Sequence, residues 1–278
     1  MKRVVTIQDI SCFGKCSITA AIPVISAAGI EVVPLPNMIL STHTGGFSNI
    51  AKRDLSDFIA QTIDQWKDLD LKFDAIYTGY IGSIPGFGVV EKFIETFKSD
   101  QTLLIVDPAM ADNGKLYSGL CPDHPAHMAA LCAKADVVVP NLTEAQFLLG
   151  KNFSPVLSSD DVARLLDGLT QLGAKNAVIT GIKTKDTMSS FFKTQAGEHG
   201  SCETKRLVDT NFDGAGDVFS SCVVAALMLG TSLEKSVDVA MRFTSKAIEL
   251  TVESKGNSKH GLMIEPLLSC VSDLIKLP

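Results

Sequence analysis

Residues 103–114 read LLIVDPAMADNG: four large aliphatic residues, an aspartate, and then a proline. An unbroken apolar run of four, closed by a turn signal, marks a strand buried on both faces, as in a parallel sheet covered by helices on either side. Asp107 follows it directly, at the carboxyl end of the strand, where open α/β sheets hold their ligands. The same pattern recurs along the chain at Val4–Ile7, Ile30–Val33, Ala75–Tyr77, Val137–Val139 and Ala177–Ile179. Between these runs, helical periodicity predicts helices over Ser17–Ala28, tolerating Pro23 and closing at Gly29, and over Asp54–Lys67, Val89–Phe97, Ala126–Ala133, Glu144–Leu149 and Val162–Leu172. Pro34–Leu40 is extended, because its two prolines exclude a helix. Met188 onward reads as a hairpin, MSSFFKT and SCETKRLV joined by AGEHG, and helices follow at Ala215–Leu229, Leu233–Glu253 and Leu262–Leu277. Strand and helix in alternation imply an α/β fold with a mainly parallel sheet covered on both faces. With no repeat or linker in view, one domain over residues 1–278 is the simplest account.

The composition suits that fold and excludes others. Hydrophobic residues make up 46% and charged residues 20% of the 278, a globular balance. Twenty-five basic against 31 acidic residues leave a formal charge of −6, and no lysine or arginine run tracks a phosphate backbone, so nucleic acid is not an expected partner. The seven cysteines show no CxxC spacing and read as reduced thiols. MKRVVTIQDI meets Asp9 too soon for a signal peptide, and no segment approaches the ~18 apolar residues of a membrane span. A soluble, cytoplasmic protein without a membrane partner is expected.

The residues that follow the strands carry the chemistry. Gly14-Lys15 is not the end of a P-loop, since the first glycine of that motif would fall on Asp9 and its final Ser/Thr on Cys16. Asp107 is placed to orient a hydrated Mg²⁺ or a phosphate-bound water, or simply forms an Asp-Pro turn. Asn113-Gly114 and Tyr117 describe a turn able to close over nucleotide phosphates. In PNLTEAQF, Thr143 is a candidate N-cap with Glu144 and Gln146 in the first turn, and Glu144 is equally a candidate for the metal's water shell. The strongest local signal is FDGAGDVFSS at residues 212–221. Gly214 and Gly216 permit a tight turn with unobstructed amides at a helix start, which is an anion site. Asp217 is ill placed to bind phosphate and well placed as a general base, taking a proton from an attacking hydroxyl while the amides of Gly214, Ala215 and Gly216 stabilise the transferring phosphoryl. Capping of the helix by Asp213 or Asp217 is the alternative.

IQDISCFGKCS, THTGG, TGYIGS, DPAMADNGKLY, PNLTEA and FDGAGDVFSS occur in the order and spacing of the pyridoxal kinases, a branch of the ribokinase-like superfamily, which the chain resembles from Val5 to about Val252. The resemblance implies a three-layer ribokinase-like fold with a small β flap over the substrate, and a homodimer. It implies ATP- and Mg²⁺-dependent phosphorylation of the 5'-hydroxymethyl group of pyridoxal, pyridoxine or pyridoxamine, with room for a monovalent cation such as K⁺. Asp217 matches the catalytic aspartate and Gly214, Ala215 and Gly216 the anion hole. Asp107 and Glu144 match the acidic pair near ATP and metal, with Asn141 in the same nucleotide-side segment. Asp112 and Tyr117 match the loop over the phosphates. His43, Thr44 and Gly45 match the segment touching the pyridine ring, with Tyr80 beside them.

The chain departs from the family at several points. Asp9, with Ser11 two residues on, stands where many pyridoxal kinases have serine, and a carboxylate there would bind the pyridine nitrogen or the phenolic hydroxyl. Thr180 and Gly181 occupy the place of a basic residue that some relatives use near ATP, with Lys183 as the substitute. Asp209-Thr210 lies two residues further from GAGD than in the sugar-kinase motif DTTGAGD, which argues against a sugar kinase. Hydroxymethylpyrimidine kinase, alone or as a dual activity, is the nearest alternative, although some small kinases of that type carry cysteine in place of Asp217. A catalytically silent vitamer-binding protein is another, and Asp217 argues against it. Cys12 and Lys15 follow the first strand closely enough to form adducts with an aldehyde, or Cys12 is simply a small buried residue.

Overall fold

The computed structural model describes residues 1–155, 158–208 and 211–276, the side chain of residue 276 excepted. Asp209, Thr210 and the end of the last expected helix at Leu277 thus lie outside the described residues. The chain opens with β1 (Arg3–Ile7), β2 (Asp9–Ser11), α1 (Ile18–Ala27), β3 (Glu31–Pro34), β4 (Met38–Leu40), β5 (Lys52–Asp54) and α2 (Ser56–Asp68). It continues through β6 (Ala75–Thr78), α3 (Ile84–Phe97), β7 (Leu103–Val106), β8 (Ala111–Asp112), β9 (Lys115–Leu116), α4 (His124–Cys132), β10 (Val137–Val138) and α5 (Leu142–Leu148). It ends with α6 (Ser159–Leu172), β11 (Asn176–Lys183), β12 (Thr187–Lys193), β13 (His199–Lys205), α7 (Ala215–Met228), α8 (Leu233–Glu253) and α9 (Val271–Lys276).

Eight strands form one sheet in the order β13-β12-β11-β10-β7-β6-β1-β3. From β3 to β11 each neighbouring pair is parallel, and β12 and β13 close the edge antiparallel. The apolar runs divide between two cores because successive side chains leave a strand on opposite faces. In LLIV, Ile105 packs with α1, α7 and α8, whereas Leu104 and Val106 pack with α2 to α6. Val4, Ala75, Tyr77 and Val178 take the first face; Val5, Ile76, Val138 and Ile179 take the second. Burial on both faces explains why these strands do not alternate apolar with polar residues. The flap is a separate three-stranded sheet, β2-β4-β5, so Asp9 and Ser11 lie in a strand.

Three expectations are corrected. The helix expected from Leu262 is absent: a 3₁₀ turn at Ser258–His260 precedes it, a second occupies Glu265–Cys270, and only Val271–Lys276 is α-helical. Pro266 is the reason the α-helix does not run back to Leu262, since it lacks the amide that an interior position needs and sits instead at the start of the 3₁₀ turn, where none is required. The helix expected from Val89 starts at Ile84, where Ser83 caps it by accepting from the Gly86 amide at 3.2 Å. Thr143 does not cap α5. Asn141 does, accepting the Glu144 amide at 3.0 Å while Glu144 reaches back to the Asn141 amide at 2.8 Å.

At the amino ends of the strands, opposite the ligand side, Asp136 accepts from the Leu104 amide (2.8 Å), Lys175 (2.7 Å) and Lys98 (3.3 Å). Burial by itself would raise this carboxyl, but Lys175, the Leu104 amide and Lys98 outweigh it and hold the group below its ordinary range. Replacing Asp136 by Ala leaves the Leu104 amide unpaired, and a loss of about 2 kcal/mol in urea unfolding is expected, because the Lys175 contact is largely screened by solvent. A depressed carboxyl stabilises the fold above its unfolded-state value near 3.8 and loses that contribution as pH falls through the folded-state value. The gap between wild type and D136A should therefore be full at pH 6 and shrink below pH about 4.

Candidate active site

The carboxyl ends of β1, β6, β7, β10 and β11 open onto a cavity of about 360 Å³, and every residue assigned from the sequence to catalysis, vitamer, nucleotide or metal lines it, whereas Cys12 and Lys15 do not. Asp9, Ser11, His43, Thr44, Gly45 and Tyr80 gather towards the flap. Asp107, Asp112, Tyr117, Asn141, Glu144, Thr180, Gly181 and Lys183 gather towards β7 to β11. Gly214, Ala215, Gly216 and Asp217 belong to both.

The glycine turn has two distinct causes. Gly214 is the N-cap of α7 at φ 78°, and no side chain caps that helix, so neither Asp213 nor Asp217 does so. A Cβ on Gly214 would lie 2.2 Å from the Lys15 carbonyl oxygen, so both backbone conformation and close approach require glycine there. A Cβ on Gly216 would meet nothing within 4 Å; its bareness keeps the cavity open and answers no packing need. The Ala215 amide donates to the Phe212 carbonyl at 3.2 Å, which leaves Gly216 and Asp217 as the first-turn donors that the helix does not use.

Three carboxyls meet around the cavity. Burial and the charge of Asp107 raise Asp217 well above its ordinary range, against the Ser17 amide, which favours the charged form. Burial raises Asp107 to about 6, opposed by the Ser220 hydroxyl on the first turns of α7. Burial and Asp107 also raise Glu144. Both Glu144 oxygens are engaged by backbone: Oε1 accepts from Met110 (3.1 Å) and Ala111 (3.3 Å), and Oε2 accepts from Asn141. Glu144 thus ties the DPAMAD loop to α5, and Asn141 completes the tie by donating to the Ala111 carbonyl at 2.8 Å. Thr143 accepts the Gly114 amide at 3.1 Å, holding the same turn. Asp107 and Asp217 are left facing the cavity. Among the described residues no three His, Cys, Asp or Glu side chains form a ready-made metal cluster.

At the flap end Asp9 is buried, with the Ser11 hydroxyl donating to it at 2.8 Å; burial raises its pKa, against Ser17, Ser11 and His43. Burial and Asp9 push the Tyr80 hydroxyl up to about 12. His43 has both ring nitrogens occupied: Nε2 donates to the Lys259 carbonyl at 2.6 Å and Nδ1 accepts from the Gly45 amide at 3.1 Å. It therefore positions the THTGG loop and offers a ligand only its ring surface. The Ser258 and His260 carbonyls accept from the Asp213 and Lys15 amides, at 3.0 and 3.3 Å. Three consecutive carbonyls of one turn thus fasten three site segments, a role hidden from the sequence because that turn carries no motif of its own. Cys12 is exposed, and the Lys15 amine is paired with Glu265 at 3.0 Å. All seven cysteines are free thiols.

Asn211 was passed over in the sequence. It donates to Asp112 at 2.9 Å and accepts from Lys183, so it joins the β8–β9 hairpin to the end of β11 across the cavity mouth. Phe153 and Asp213 also line the cavity. A second cavity of about 150 Å³ adjoins the glycine turn, between the sheet edge and α8, and shares Gly181, Met188, Ala215 and Gly216 with the first.

Residues 6–263 match the family model described as phosphomethylpyrimidine kinase. The chain belongs to that family. It is similar to the pyridoxal kinase of Dictyostelium discoideum, 26% identical over 281 residues, covering 94% of this chain and 88% of that one. Among solved structures it is similar to a Bacteroides thetaiotaomicron protein assigned as a phosphomethylpyrimidine kinase and crystallised with pyridoxal: 31% identity, coverage of 97% and 95%, TM-score 0.93. It is also similar to the pyridoxal kinase of Lactobacillus plantarum: 29% identity, coverage of 99% and 98%, TM-score 0.90. No helix among the described residues is long and apolar enough to cross a membrane.

The two glycines are separable by experiment. G214A should lose at least about 2 kcal/mol, from a positive φ and a backbone clash. G216A should be as stable as wild type or gain up to about 1 kcal/mol, yet lose about 10²-fold in turnover by crowding the first-turn donors. Thermal melts beside steady-state kinetics check both.

Proposed function

We propose that the protein is an ATP-dependent kinase of the 5'-hydroxymethyl group of B6 vitamers, converting pyridoxal to pyridoxal 5'-phosphate. The observation that carries this reading is the meeting, in one cavity, of Asp217, the first-turn amides that α7 leaves out of its own ladder, and buried Asp107, with Asp9 and Tyr80 at the far end. That is an acceptor end and a phosphate end with a base between them.

Asp217 takes the proton of the acceptor hydroxyl as the new O–P bond forms and the bond from the γ-phosphorus to the β–γ bridging oxygen breaks, releasing ADP. Burial beside Asp107 makes it a stronger base than an exposed aspartate. The amides of Gly216 and Asp217 face the charge that develops on the transferring group. Hard oxygen donors and carboxyls raised by burial and by the charge of Asp107 suit Mg²⁺, which keeps several waters and takes one or two carboxylates plus substrate phosphates. Asp107 would hold it, with Glu144 acting through the loop it braces. Mg²⁺, when bound, neutralises phosphate charge and offsets carboxylate repulsion.

Asp9 is proposed to bind the pyridine nitrogen or the phenolic hydroxyl, supported by its burial and its serine partner. The second cavity is the proposed nucleobase site, supported by its apolar wall and its junction with the glycine turn. Homodimer formation and a K⁺ requirement belong to the same proposal and rest on the family resemblance alone, and a cytoplasmic setting rests on the cysteine usage and N-terminal composition of the sequence. Hydroxymethylpyrimidine is the competing acceptor, favoured by the description of the matched family model.

The test is ADP release from Mg-ATP with pyridoxal, pyridoxine, pyridoxamine and hydroxymethylpyrimidine side by side. D217N should lose about 10³-fold or more in kcat while pyridoxal and ADP still bind. Turnover of hydroxymethylpyrimidine alone would reassign the acceptor, and binding of vitamers without turnover in wild type would make the protein a silent binder.

A further inference from the structure

Residues 42–50 cross the acceptor end of the first cavity, and His43, Thr44 and Gly45 form part of its wall. The segment belongs to no helix or strand, so its shape depends on what the rest of the protein holds. Its ends are tied to each other: the Ser41 amide donates to the Ala51 carbonyl at 2.9 Å, and the Ala51 amide donates to the Ser41 hydroxyl at 3.0 Å. Between those ends, two hydrogen bonds join it to other parts of the chain among the described residues, and Lys259 makes both. The Lys259 carbonyl accepts from His43 Nε2 at 2.6 Å, and the Lys259 ammonium donates to the Gly46 carbonyl at 3.2 Å. The bond from the Gly45 amide to His43 Nδ1 stays within the segment, and Asp213 lies 3.9 Å from His43 Nε2, beyond hydrogen-bond reach. The other contacts are packing: His43 lies against Gly14, Gly45 against Asp213, and Phe47 edge-on to half-exposed Phe13 at 6.2 Å.

The lysine side chain also shapes the turn. Gly46 sits at φ 72°, and a Cβ there would lie 2.9 Å from Cε of Lys259, so the backbone runs directly along the lysine methylenes. One residue thus grips the segment at two points, with its backbone on His43 and its side chain on Gly46. A glycine-containing segment so short of backbone partners opens readily unless it is held. Lys259 itself does not line the cavity, so its effect on a ligand passes through the segment. We infer that Lys259 is a positioning residue for the phosphoryl acceptor, its ammonium clamping residues 43–46 as a wall of the acceptor end. The inference rests on the acceptor reading above and adds to it the residue that holds that wall in place.

Two measurements on the full chain test it, using K259M, which keeps the methylene packing and removes the donor, and K259R, which keeps a donor. Lys259 is exposed, so both variants should melt within about 2 °C of wild type. Chymotrypsin reads the clamp through cleavage after Phe47, identified by mass. That cleavage should be about fivefold faster in K259M, the worth of one hydrogen bond, and near the wild-type rate in K259R. Steady-state kinetics read the role: K259M should raise KM for the vitamer about five- to tenfold and leave kcat and the KM for ATP within about twofold, and K259R should restore the vitamer KM. Unchanged cleavage after Phe47 in K259M removes the clamp. Faster cleavage with an unchanged vitamer KM, or with the KM values for vitamer and ATP rising together, removes the positioning role. Failure of the acceptor reading looks different: wild-type protein turns over none of the four acceptors while K259M still speeds cleavage, which removes the role and leaves only the clamp.

Discussion

The structure depends on holding Asp107, Glu144 and Asp217 together around one cavity, where burial raises all three carboxyls and the charge of Asp107 raises Glu144 and Asp217 further. Like charges in a low-dielectric interior repel, and an unassisted fold would separate or expose them. Here they cannot part. Asp107 is fixed by the end of LLIV, Glu144 by three backbone amides, and Asp217 by the first turn of α7. The two-faced core supplies the rigidity. β7 and its neighbours are packed on both sides, so their carboxyl ends cannot shift to relieve the repulsion.

The division of labour follows from topology. The parallel sheet presents its strand ends on one side, the flap adds Asp9 and Ser11 from a separate small sheet, and α7 enters with bare amides. The 3₁₀ turn at Ser258–His260 then fastens the Lys15, His43 and Asp213 segments through consecutive carbonyls.

Much of this was legible in the sequence, because the signals were local. Four-residue apolar runs reported strands with two buried faces, and the residues directly behind them proved to line one cavity. Gly214 and Gly216 announced a tight turn, although only the structure separates one held by a backbone clash from one that faces open space. What escaped notice was tertiary. The N-cap at Asn141, rather than Thr143, is decided by Glu144 reaching back. The Nε2 of His43 is occupied by a turn more than two hundred residues away, which no spacing rule reports. Pro266 breaks a helix whose apolar periodicity looked continuous.

The central claim is that this cavity transfers a phosphoryl group to the hydroxymethyl oxygen of a B6 vitamer. Phosphorus NMR on the wild-type protein with Mg-ATP and pyridoxal tests it most directly, because it identifies the bond formed. Growth of a phosphate monoester resonance on the 5'-oxygen, matched one for one by ADP, is the outcome this account requires. ADP accompanied only by inorganic phosphate would show transfer to water, and the acceptor end of the site would then have been misassigned.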